Sequence, residues 1–153
     1  MIEIVGDFWS HLDNNKDVYD AICCTTNTVV KANGELVMGA GIAKDFANEY
    51  QWLPKNWGAR ISKQRMPLVL VTLMKVRPHL VSLPTKTDWK QPSSLDLIWE
   101  SITELLLLVE QLGWKKVLLP RPGCKNGGLS WKDQVKPILL QLDDRFVVIN
   151  NGT

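Results

Sequence analysis

The sequence predicts one α/β domain, a mixed sheet held between helices, and three observations carry that prediction. Apolar runs of strand length alternate with segments of helical period. Two of the runs are separated by too few residues for a crossover, which demands an antiparallel pair inside an otherwise wound sheet. No linker or internal repeat interrupts the 153 residues, of which 45% are hydrophobic, so a single core suffices and residues 1–153 read as one domain.

The strands are read from branched, apolar runs at 2–5 (IEIV), 19–24 (YDAICC), 68–74 (LVLVTLM), 79–83 (HLVSL), 116–119 (KVLL) and 146–149 (FVVI). A first helix starts near Ile42, because Ile42, Ala43, Phe46, Ala47 and Tyr50 form one stripe, and Pro54 and Gly58 are expected to close the segment. The second helix has the clearest period. Leu95, Ile98, Ile102, Leu105, Val109 and Leu112 recur three and four apart, with Ser93 and Asp96 as a starting box and Gly113 as the stop. A third is expected from Trp131 to Leu142, capped by Ser130 and kinked at Pro137.

Only KVRP separates the runs at 68–74 and 79–83, so these pair antiparallel. The run at 79–83 reaches 116–119 through the long helix, and such a connection makes the two parallel. The segments after Leu83 (PTKTDWKQPSS) and after Leu119 (PRPGCKNGGLS) then share the carboxyl edge of the sheet, where open α/β sheets hold ligands.

Charged residues make up 22% of the chain and the net charge is +2, which marks neither a disordered tail nor a general polyanion binder. Cys23, Cys24 and Cys124 are too few and too poorly spaced for a disulfide framework or a zinc site. His11 and His79 lack ligand spacing, so no metal and no cofactor is expected. The N-terminus lacks a signal peptide's basic start, and glutamates interrupt the leucine run at 102–112 too soon for a membrane span. These features predict a cytoplasmic protein without a membrane partner. The seven tryptophans, with no accompanying Arg/Lys stripe, read as packing at core edges; Arg60, Lys63 and Arg65 near Trp57 form a weak candidate for guiding a nucleic-acid strand.

Two glycine-rich segments precede helices, NGELVMGAGIAK (33–44) and PGCKNGGLS (122–130). Backbone N–H groups at a helix start can donate to an anion, and glycine lets a phosphate approach them. Gly34 and Gly39 have P-loop spacing, but Ala40 and Gly41 follow where Lys and Ser/Thr are required. GAGIAK has Lys44 in place of the third glycine of a dinucleotide fingerprint. A diphosphate between two helix starts remains the ligand these loops suit, against the plain alternative of two ordinary connections.

Five segments taken in order, VGDFW (5–9), DAICCTTN (20–27), VMGAGIAKDF (37–46), LPTKTDWKQPSS (83–94) and LPRPGCKNGGLSW (119–131), resemble the motifs of macro domains, the ADP-ribose-binding fold. The resemblance is greatest to the branch of the terminal ADP-ribose protein glycohydrolases and the antitoxins that remove ADP-ribose from DNA. It implies a six-stranded mixed sheet with ADP-ribose across its carboxyl edge. It implies that Asp7 accepts from the adenine amino group, with Phe8 beside it. Asn27, or Asn33 in the alternative alignment, would contact the distal ribose, and Gly39, Ala40, Gly41 and Ile42 would surround the distal phosphate and ribose. Gly123, Cys124, Lys125, Asn126, Gly127 and Gly128 would form the second diphosphate loop.

In that branch the lysine matching Lys86 attacks the anomeric carbon of the distal ribose, which a desolvated, neutral amine can do. The alternative role for Lys86 is to lend positive charge to a diphosphate. The protein glycohydrolase carries an acidic residue where Gly127 stands here, which favours the DNA-directed branch. Asp88 could serve as a base or cap a turn. The resemblance thus implies a monomeric ADP-ribosyl hydrolase acting on an ADP-ribosylated macromolecule, with ADP-ribose 1″-phosphate phosphatase and non-catalytic reader as alternatives.

Overall fold

The computed structural model of the chain describes residues 1–64 and 69–152. Its elements follow the order β1 (Ile2–Val5), α1 (Phe8–Asn14), β2 (Ala21–Thr26), α2 (Gly41–Glu49), α3 (Leu53–Ser62), β3 (Leu70–Thr72), β4 (His79–Pro84), α4 (Leu95–Leu112), β5 (Val117–Pro120), α5 (Lys136–Leu139) and β6 (Phe146–Asn150). The six strands make one sheet in the order β1-β6-β5-β2-β4-β3. All neighbours are parallel except β3 and β4, which form the expected antiparallel pair.

Strand alternation divides the core between two faces. Ala21 and Cys23 of β2, Val117 and Leu119 of β5, and Phe146 and Val148 of β6 pack with Ile98, Ile102 and Leu105 of α4. The intervening Ile22, Cys24, Leu118, Val147 and Ile149 pack instead with Leu12 of α1, Phe46 of α2 and Trp57 of α3. A side-chain period of two sends successive residues to opposite faces, and the central strands are apolar on both because helices cover both.

Helix α4 ends at Gly113, whose φ of 69° lets it close the last turn in the left-handed conformation. Its start differs from the sequence expectation: the cap is Ser94, whose hydroxyl accepts from the Leu97 N–H, while Ser93 lies outside the helix. The expected helix at 131–142 is a widened turn, Trp131–Val135, followed by the short α5. Pro137 has no N–H and its ring would crowd the carbonyl of Asp133, a conflict that the wider turn relieves.

Two helices escaped the sequence reading. Helix α1 buries only Leu12 and is set by Asp7, whose carboxylate accepts from the Ser10 N–H at 2.9 Å. Helix α3 starts where the chain was expected to stop, because Pro54 occupies its first turn, a position that needs no N–H. Gly58 lies inside α3 against the 34–36 backbone: a Cβ there would collide with the Gly34 carbonyl and come within 2.7 Å of the Leu36 nitrogen. The run at 68–74 yields a strand of three residues, Leu70–Thr72; Leu68, like Arg65, lies outside the described residues. Strands β4 and β5 are parallel as expected but not adjacent, for β2 lies between them. Among the described residues no helix is long and apolar enough to cross a membrane.

Gly58→Ala must push α3 off the 34–36 loop. Urea unfolding is expected to give a loss of about 2 kcal/mol, the range of an overpacked core position, whereas Gly→Ala in an open helix would stabilise.

Candidate functional site

The carboxyl ends of β2, β4 and β5 open onto one crevice, and the backbone beyond the sheet continues the pairing. The Thr85 N–H donates to the Thr26 carbonyl at 3.0 Å, and the Thr28 N–H and hydroxyl both donate to the Thr87 carbonyl, at 3.3 and 2.9 Å. The Ser94 N–H closes back on the Thr85 carbonyl at 2.8 Å. Lys86 is thus fixed on both sides by its neighbours' hydrogen bonds. Its half-buried side chain lines a cavity of about 510 Å³, within the range of small-molecule sites. Among the described residues its ammonium has no hydrogen-bond or ion-pair partner.

Both glycine-rich segments border the same cavity. Gly39, Ala40 and Gly41 lead into α2, whose cap residue Ala40 offers no side chain to the first N–H groups. Those groups have no helical acceptor, so the positive end of α2 faces the cavity unneutralised. Opposite stand Gly123, Lys125, Asn126 and Gly127. The two segments nearly touch: a Cβ on Gly41, which has φ of +57°, would come within 2.5 Å of the Asn126 amide nitrogen. Lys86 and Lys125 line this space, and among the described residues no carboxylate does. The result is a site for an anion.

The second loop is held to the segment after β4 by Ser93, whose N–H donates to the Gly127 carbonyl at 3.0 Å. Ser93 is pressed so close that a Cβ on Gly127 would collide with its hydroxyl, and one on Gly123 (φ +72°) would come within 2.9 Å of its Cβ. Among the described residues the buried Ser93 Oγ has no hydrogen-bond partner.

A second cavity of about 630 Å³ adjoins the first and shares Gly41, Ile42, Pro120 and Lys125 with it. Asp7 and Phe8 line it, with Trp9, Arg121 and Trp131. Phe8, Trp9 and Phe46 form an aromatic cluster with centroids 5.1–6.0 Å apart, Trp9 meeting both phenylalanines edge-to-face. The Ser10 N–H that Asp7 caps also holds its carboxyl below the ordinary range, so Asp7 is an acceptor at neutral pH. The Arg121 guanidinium lies 4.9 Å over the Trp131 ring and 3.8 Å from Glu3.

The structure therefore brings Lys86, Asn27 and most of both glycine segments to one cavity, and Asp7, Phe8 and Cys124 to the next. Gly128 lines neither. Asn27 is 6% exposed and spans its own loop, donating to the Val37 carbonyl and accepting from the Val29 N–H. Asn33 stays outside, bonded to Glu35. Asp88 caps its turn by accepting from the Lys90 N–H. Trp57 is fully buried and, like Arg60, donates to the Thr72 hydroxyl, so the suggested basic patch is structural there. His11 bonds Tyr19, and His79 accepts from Met74 and stacks on Trp114.

Thr85, Ser93 and Trp89 are cavity residues that the sequence did not place at the site: Ser93 was expected to start the long helix, and Trp89 entered only within the segment at 83–94. Position was the available signal for Trp89, three residues beyond Lys86; nothing in the sequence marks the Ser93 contact.

A mixed sheet with a cationic crevice at its carboxyl edge, between a glycine-led helix and a second glycine loop, is the architecture of macro domains. No family model matches the chain. The DNA ADP-ribosyl glycohydrolase of Mycobacterium tuberculosis is 30% identical over 105 residues, 63% of this chain and 29% of that protein. The chain spans less than a third of the length of the curated relatives it matches. The macrodomain of Mycobacterium tuberculosis DarG superimposes with a TM-score of 0.75 and 27% identity, covering 97% of this chain and 96% of that one. Thermosipho africanus DarTG, solved in complex with ADP-ribose, gives a TM-score of 0.74 at 20% identity over 87% of this chain and 38% of that one. The chain thus has the macro-domain fold, and its likeness is to macro domains of the DarG branch.

Cys124 is the cysteine nearest to solvent at the site, yet burial pushes its thiol up to about 11 against a smaller downward pull from Arg121. Its thiolate is scarce at neutral pH and grows about tenfold per pH unit below that value. Iodoacetamide labelling of the native protein should follow that rise, and labelling at pH 7 as fast as a free thiol would contradict it.

Proposed function

We propose that this macro domain binds ADP-ribose across the two cavities and hydrolyses the bond that links its distal ribose to DNA. The supporting observation is that Lys86, an uncommitted lysine, shares one cavity with the uncapped start of α2 and the facing glycine loop. The diphosphate would lie between Gly39–Ile42 and Gly123–Gly127, held by backbone N–H groups and Lys125. The adenosine would extend into the second cavity toward Asp7 and Phe8. Gly128, which faces neither cavity, would support the loop by its backbone. The distal ribose would then reach Lys86.

Under this reading the neutral Lys86 amine attacks the anomeric carbon, and the bond to the leaving group breaks with its electron pair. The departing group takes up a proton. Water then adds to the sugar–lysine adduct, freeing ADP-ribose and restoring the amine. The DNA linkage is favoured over a protein one by the likeness to DNA ADP-ribosyl glycohydrolases. Three free cysteines, two of them fully buried, suit a reducing cytoplasm, and we read the domain as a monomer there.

Lys86→Ala should slow release of ADP-ribose from ADP-ribosylated single-stranded DNA by on the order of a thousandfold. Calorimetry should show free ADP-ribose still bound, its Kd within about tenfold of the parent's. Release at the parent rate would remove Lys86 from the mechanism. Phosphate release from ADP-ribose 1″-phosphate, or tight binding without turnover of either substrate, would replace the reading with the phosphatase or the reader.

A further inference from the structure

We propose that Trp89 is the platform on which the nucleobase bearing the ADP-ribose stacks, so that the domain grips its substrate by the modified base as well as by the nucleotide sugar. The inference rests on the function proposed above and names the part of the DNA that the same site recognises. Trp89 lines the cavity that contains Lys86 and does not line the second one. It therefore belongs to the half of the crevice where the departing group must lie.

Its environment differs from that of the other site tryptophans. Trp9 packs on Phe8 and Phe46, and Trp131 carries the Arg121 guanidinium and donates to Glu3. Trp89 is 50% exposed, and among the described residues no other aromatic ring meets its indole. The Lys90 ammonium lies 5.3 Å from the ring centroid. An aromatic face with a cation beside it matches a nucleotide, whose base stacks on the ring and whose phosphate meets the cation. A modified aspartate or glutamate presents no such face.

The platform is also pre-positioned. The Thr28 N–H and hydroxyl pin the Thr87 carbonyl, the Asp88 carboxylate accepts from the Lys90 N–H at 2.9 Å, and the Asp88 carbonyl accepts from Gln91 at 3.1 Å. The backbone on both sides of Trp89 is thus fixed before any ligand arrives, which lowers the ordering cost of binding. Stacking requires the modified base to be out of a duplex, so the substrate is single-stranded or has its base extruded.

The test compares Kd values in the Lys86→Ala background, where turnover does not interfere. An ADP-ribosylated single-stranded oligonucleotide should bind about tenfold or more tightly than free ADP-ribose, the equivalent of one base–aromatic stack. Adding Trp89→Ala should abolish that difference, and Trp89→Phe should keep most of it. If the oligonucleotide gains nothing over ADP-ribose, or keeps its gain in Trp89→Ala, the platform is overturned even where the parent protein releases ADP-ribose from DNA. An ADP-ribosylated glutamyl peptide that gains as much, and loses it equally on Trp89→Ala, would assign the indole to protein substrates and overturn the proposal. Absence of ADP-ribose release by the parent, with the tryptophan-dependent gain intact, would instead remove the hydrolase reading alone.

Discussion

The close approach of Ser93 to Gly123 and Gly127 is the contact on which the crevice depends. One hydrogen bond from its N–H joins the segment after β4 to the loop after β5, and neither glycine has room for a Cβ beside it. These strands are not neighbours in the sheet, so their loops meet only by arching over the end of β2. The arch places Lys86 and the 123–127 loop in one cavity. It also explains why that loop is so bare: any larger residue at 123 or 127 would lift it away from Ser93 and open the gap that a diphosphate would have to span.

Below the arch, β2 acts as the rail. Its pairing with β4 continues past the sheet edge through Thr26 and Thr85, then through Thr28 and Thr87, so residues on either side of Lys86 are held by main-chain hydrogen bonds. Such bonds hold backbone position without consuming the lysine's own ammonium. Opposite, α2 directs its uncapped end at the same space, and Phe46 anchors the helix in the second core face with no exposed surface. Two rigid supports, the sheet's own edge and a helix packed on one of its faces, thus meet at a charged gap. Distances in such a gap are set by packing, which resists compression.

Much of this architecture is legible in the sequence because it rests on periodicity and punctuation. The runs at 2–5, 79–83, 116–119 and 146–149 coincide with β1, β4, β5 and β6 to within a residue at either end, since branched residues in short runs fit a sheet covered on both faces. Helix α4 and its Gly113 stop were equally plain. Helices α1 and α3 were not: the first buries a single residue and shows no stripe, and the second carries Pro54 and Gly58, which read as breakers but serve as a first-turn residue and a contact point. The placement of the glycine segments at one edge followed from topology. The interposed β2, the Ser93 contact and the half-exposed Trp89 did not, because each is a property of distance in space that spacing along the chain does not encode.

The absence of carboxylates around Lys86, among the described residues, bears on which bond such a site can break. Without an acid placed to protonate the departing group, attack at the anomeric carbon succeeds best when that group carries away its own negative charge. A base nitrogen flanked by carbonyls and a carboxylate both do so, the one by delocalisation into a ring and the other over two oxygens. Poor leaving groups such as an amide nitrogen do not. With Lys86 as the nucleophile proposed above, its cavity would narrow the linkages by leaving-group stability, and the choice between the two that remain would fall to whatever touches the departing group. On the stacking proposed for Trp89, an indole and an ammonium at that wall would distinguish a flat heterocycle from a small, saturated chain by contact area.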